Sequence, residues 1–81
     1  METKPFILEI RNMNDARDVY RIHRAILREI YLAEFQSDLN KKTITLKIQA
    51  SDRELAIDLI EGLGFQTRIV TRFTTGIEGI F

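Results

Sequence analysis

Two carboxylates three residues apart, Asp15 and Asp18, stand where the apolar run Phe6–Ile10 gives way to an amphipathic stretch beginning near Ala16. Oxygen donors of this kind suit hard or borderline cations, which ask for a shell of about six to eight oxygens. Glu9 and Asn14 are the only further donors close in sequence, too few to complete such a shell. Acidic side chains in the first turn of a helix have a second use, because they face the positive end of its dipole and its unpaired N–H groups. Both uses are open from the residues alone, and the second needs no partner that the segment lacks.

The chain has no cysteine and one histidine, His23. Disulfides, Fe–S ligation and thiol catalysis are therefore excluded. A single imidazole without cysteine makes a poor start for a transition-metal site. No Ser–His–Asp arrangement, glycine-rich phosphate loop or close pair of apolar-flanked carboxylates is present, so an enzyme is not expected and no cofactor is implied.

Arginines are the other chemically loaded residues. Arg17, Arg21, Arg24 and Arg28 follow one another at four, three and four residues, which places them on one helical face. Like charges at i,i+4 cost an isolated helix a few tenths of a kcal/mol. Asp18 and Glu29 flank the row. A solvated face is one reading, and a surface for an acidic protein is the other. Nucleic acid is disfavoured, because the outer sheet face would show Ile7, Glu9, Thr43, Thr45 and Lys47, without the aromatic pairs on which bases stack.

Over 81 residues, twelve basic and twelve acidic side chains cancel, and the sequence pI is about 6.6. Such a chain has no global field for anionic polymers or lipids and little self-repulsion. Neither a membrane-length apolar run nor a signal-peptide core behind Met1–Pro5 is visible, so a cytoplasmic location is the expectation.

The elements that must position these side chains follow from periodicity. Phe6, Leu8 and Ile10 alternate on a first strand. Asn12 or Asn14 suits the N-cap of a helix running to about Tyr31, with Val19, Ile22, Ile26 and Ile30 as its buried stripe. A strand around Glu34–Leu39 should bury Phe35. A hairpin turn containing Asn40 leads into Thr43–Ile48, with Ile44, Leu46 and Ile48 inward. Ser51-Asp52-Arg53-Glu54 has the spacing of a capping box and opens a second helix with Leu55, Leu59, Ile60 and Leu63 inward. Gly62 and Gly64 should end it in the left-handed conformation, and a fourth strand is expected over 66–74. The order β-α-β-β-α-β predicts an α+β, ferredoxin-like sandwich: a four-stranded antiparallel sheet with two helices on one face. One domain is expected over 1–81, with its core at about 6–74 and an apolar tail, 75–81, carrying Ile77, Ile80 and Phe81.

On this frame the sequence resembles the heavy-metal-associated domain family of copper chaperones and P-type ATPase N-terminal domains. That family's strand leads into Gly-Met-Thr-Cys-x-x-Cys and then a helix. Here Leu8–Asp18 occupies the same frame, with Met13 at the family's Met and Val19, Ile22, Ala25 and Ile26 on its helix pattern. Asp38–Thr45 resembles the middle hairpin, and Leu59–Phe65 the end of the second helix. The motif Gly is Asn12, and the two thiolate positions are Asp15 and Asp18, so no metal-binding residue of the family carries over. Soft Cu(I) prefers sulfur donors. The resemblance implies a degenerate, non-enzymatic member: an interaction or accessory module, with a link to metal homeostasis. Its expected recognition surface is Asn12, Met13, Asn14, Arg17, Arg21, Arg24 and Arg28, facing an acidic protein. The alternatives are a hard-cation site at Asp15 and Asp18, and a small-molecule regulatory domain acting as a dimer. Beside an acidic protein, the other expected partner is a second copy, forming a homodimer through an edge strand or the tail Ile77, Ile80 and Phe81.

Overall fold

The computed structural model describes residues 4–70. The strands are β1 (Lys4–Ile10), β2 (Glu34–Asp38), β3 (Thr43–Ile48) and β4 (Thr67–Ile69); the helices are α1 (Ala16–Glu29) and α2 (Arg53–Glu61). All strand pairings are antiparallel and the order across the sheet is β2-β3-β1-β4, the ferredoxin-like arrangement. Non-neighbouring β1 and β2 are joined over α1, and β3 and β4 over α2, so both crossovers carry a helix to the same face. The expected tail at 75–81, and the 71–74 part of the fourth strand, lie outside the described residues.

The alternation read for β1 and β3 is realised. Phe6, Leu8 and Ile10 face Leu46 and Ile44 in register, with Phe6 opposite Leu46 and Leu8 opposite Ile44. With Ile48 they form the sheet half of the core. Ile22 and Ile26 of α1 and Ala56 and Ile60 of α2 close it from above, and Met13 and Phe65 seal the end where α1 begins. Phe35 is half-buried on β2 and stacks on His23 with ring centroids 4.2 Å apart and planes 12° from parallel. The lone imidazole is thus a packing residue that ties the edge strand to α1.

Several local expectations are corrected. Asp15, rather than Asn12 or Asn14, is the N-cap of α1. The helix stops at Glu29, because Ile30 turns extended (φ −130°) to bury its side chain. The capping box at Ser51–Glu54 does not form: Ala50–Asp52 is a 3-10 turn closed by Asp52 N–H donating to the Gln49 carbonyl, and Asp52 caps α2 without a side-chain hydrogen bond. Leu55 is exposed, and Ala56 takes its place inside. Gly62 is right-handed (φ −62°), and only Gly64 is left-handed, at φ +99°.

Leu8→Ala should lower unfolding stability by about 2–5 kcal/mol, the range for a fully buried leucine, as read from urea denaturation. Gly64→Ala should cost about 1–2 kcal/mol, and the cost is conformational, because an added Cβ meets nothing within 4 Å.

Candidate functional site

The segment joining β1 to α1 must turn the chain while keeping its own polar backbone satisfied. Its hydrogen bonds come from three distant places. Asn12 donates from Nδ2 to the Gly64 carbonyl at 3.0 Å and accepts at Oδ1 from the Gln66 N–H at 2.9 Å, so one amide side chain bridges the loop to the α2–β4 connection. Lys42, at the end of the β2–β3 turn, donates from Nζ to the Met13 carbonyl at 2.8 Å and to Asn14 Oδ1 at 3.0 Å. The Lys42 carbonyl in turn accepts from the Ile10 N–H at 2.7 Å. Lys42 holds φ +56°, a conformation that costs a side-chain-bearing residue about 1–2 kcal/mol. Three hydrogen bonds, two of them charge-assisted, offset that strain.

The carboxylates close the loop from inside. Asp15 Oδ1 accepts from the Asp18 N–H at 3.1 Å, and Asp18 Oδ2 accepts from the Asn14 N–H at 2.8 Å. This is a variant of the reciprocal capping box, with the returning acid bonded to Asn14, one residue before the cap. The other oxygen of Asp18 lies 4.0 Å from Arg21 Nη1. Glu9 is engaged elsewhere, in a 2.7 Å ion pair with Arg68 of β4. Each of the four oxygen donors available near the loop already accepts a hydrogen bond from the protein. Among the described residues no group of three His, Cys, Asp or Glu side chains could hold a metal ion. The Lys42 ammonium, reaching into the loop from the β2–β3 turn, adds positive charge against any incoming cation. The donors do not fit a soft ion, and the hard-ion shell is incomplete.

Of the expected recognition residues, Asn12, Asn14, Arg17, Arg21, Arg24 and Arg28 are exposed. Met13 is a correction: it is wholly buried and offers only its carbonyl, to Lys42. The arginine row also divides. Arg21 leans toward the α2–β4 connection, with its guanidinium 5.4 Å from the Phe65 ring centroid and Nη2 3.5 Å from the Leu63 carbonyl. Arg24 turns the other way onto Tyr20, donating to its hydroxyl at 3.2 Å. Two features were not read from the sequence. Lys42 acts across about 29 residues, and no local pattern marks it. Tyr20 and Leu27 stand exposed between the arginines, and their spacing of seven was the available signal.

No protein-family model and no curated protein sequence matches the chain. Solved structures do. The N-terminal domain of PacS from Synechocystis PCC6803 superposes with TM-score 0.72 at 18% identity, covering 84% of this chain and 98% of that one. The yeast copper transporter domain Ccc2a, solved in apo and Cu(I)-loaded states, gives 0.74 at 15%, covering 83% and 94%. Oxidized MerP from Ralstonia metallidurans CH34 gives 0.74 at 8%, covering 85% and 99%. The fold is that of the heavy-metal-associated domain. The resemblance read from the Leu8–Asp18 frame holds at the level of fold, and the heavy-metal-associated fold is here built with no cysteine.

Lys42→Met should destabilise the protein by about 1–3 kcal/mol and accelerate amide exchange at 13–15, while Lys41→Met, at an exposed neighbour, should leave both unchanged. Asp15→Ala should cost about 1 kcal/mol through the lost cap.

Proposed function

We propose that the chain is a non-enzymatic accessory domain that works by binding an acidic protein surface, with the metal-carrying chemistry of its structural relatives given up. One observation carries this reading. The oxygens that stand in the former thiolate positions are used to cap α1, and the loop's cation is the chain's own Lys42.

A loop held this way is a preorganised surface, because its exposed members, Asn12 and Asn14, are fixed before any partner arrives. Preorganisation lowers the ordering cost of association. Beside it α1 presents Arg17, Arg21, Arg24 and Arg28 to solvent. Guanidinium groups bind carboxylates in a two-pronged geometry and raise encounter rates with acidic partners. The likeness to Ccc2a, a copper transporter domain, supports a place near metal homeostasis as an interaction module. Among the described residues no helix is long and apolar enough to cross a membrane.

Native mass spectrometry with Cu(I), Zn(II), Mn(II) or Ca(II) should give no tight one-to-one complex. A tight complex abolished by Asp15→Ala overturns the reading. Affinity capture from the native host with Arg21→Glu/Arg24→Glu as bait should lose partners that the unaltered chain retains, and an unchanged partner set counts against it.

A further inference from the structure

Hydropathy and exposure on α1 disagree. Its inward side buries Ile22 and Ile26 completely, as an amphipathic helix should. Its outward side is not uniformly polar: Tyr20 is 58% and Leu27 54% exposed. Arg17, Tyr20, Arg24 and Leu27 follow at three, four and three residues. That is the spacing of the contact seam of a coiled coil, carried on the face turned away from the core. Arg24 joins the seam internally, with its guanidinium carbon 5.7 Å from the Tyr20 ring centroid. Arg21 and Arg28 lie directly beside the seam, one residue after Tyr20 and Leu27.

We infer that this outward seam of α1 is a docking site for an amphipathic helix of a partner protein, one that bears carboxylates beside its apolar positions. This rests on the accessory-domain reading and specifies its occupant. Spacing selects a helix: side chains repeating every 3.5 residues on a ridge interdigitate with a second helix crossing at about 20°, whereas an extended chain would meet them out of step. Charge selects an acidic one. The only acidic residues on α1 are Asp18 and Glu29, and Asp18 is already committed to the Asn14 N–H and to Arg21. A second copy is disfavoured, because a two-fold contact through this face would set arginines against arginines. Tyrosine and arginine, which supply three of the four seam residues, are also enriched at binding hot spots. Fourteen residues of helix offer four turns, enough for about two heptads of partner.

The probe is a 21-residue peptide with leucine at the seam positions and glutamate flanking them, titrated into the 15N-labelled protein. Its controls are a scramble of the same composition, polyglutamate, and a single-stranded oligonucleotide. Saturable shifts confined to α1 are expected, with Tyr20→Ser or Leu27→Ser weakening the peptide about tenfold at unchanged charge. The scramble should bind at least tenfold more weakly than the peptide. Equal binding of scramble and peptide, or shifts centred on the outer sheet face, overturns the helix inference, as does tighter binding of the oligonucleotide. If polyglutamate still binds through the arginines in that case, the acidic-surface reading stands. If neither peptide nor polyglutamate binds, both fall.

Discussion

The turn from β1 into α1 is the point on which the rest of the molecule depends, and hydrogen bonds of the chain itself hold it. Asn12 pins it to the α2–β4 connection and Lys42 to the β2–β3 turn, so three connections that lie far apart in sequence meet at one end of the sandwich. Beneath them Met13 and Phe65 close the core. An ion bound at such a turn would organise it from a single point. Here the same work is spread over an amide, an ammonium and two carboxylates, and each is spent on backbone groups that would otherwise be unpaired. Asp15 Oδ1 and Asp18 Oδ2 are engaged by the Asp18 and Asn14 N–H groups, so a bidentate approach of either carboxylate to an ion would compete with a backbone hydrogen bond.

With the loop's polar groups engaged from within, the proposed function rests on what is left exposed. Charge pairing is uneven over the surface. On the sheet side, Arg68 meets Glu9 at 2.7 Å and Lys47 meets Glu34 at 3.6 Å, so cations there are answered by neighbours. The outer sheet face holds a groove of about 410 Å³ lined by residues such as Ile7, Gln36, Thr43 and Val70, with no aromatic platform among the described residues that line it. On α1 four arginines stand against Asp18 and Glu29, whereas α2 carries Glu54, Asp58 and Glu61 against Arg53 alone.

Much of this was legible in the sequence, and the boundary between legible and illegible is physical. Period-two alternation in Phe6–Ile10 and Thr43–Ile48 gave both inner strands and their inward residues, because inner strands answer only to local pattern and burial. Competition between equivalent signals was harder. Asn12, Asn14 and Asp15 all carry an oxygen able to cap a helix, and the choice fell to Asp15 because Gly64, Gln66 and Lys42, remote in sequence, claim the two asparagines. On α2, hydropathy favoured Leu55, but the inward position is Ala56, which is wholly buried while Leu55 is exposed. The carboxylates were readable as first-turn acids, whereas the ammonium that completes the site was not, since Lys42 looks like any turn lysine until β2 and β3 are folded against β1.

A formal net charge of zero therefore conceals a directional molecule. Screening falls off over about 8 Å at physiological ionic strength, so a partner approaching the outward side of α1 responds to the nearby guanidinium groups more than to the compensating acids on α2 and the sheet. Those groups are not spaced to make a diffuse basic patch, because Tyr20 and Leu27 interrupt them at the period of a helical contact. Charge would bring the partner and set its register, while the two apolar side chains, once covered, would determine how long it stays. In the accessory-domain reading the loop exchanges no ion, and its hydrogen bonds to Gly64, Gln66 and Lys42 serve to hold the start of that helix in place.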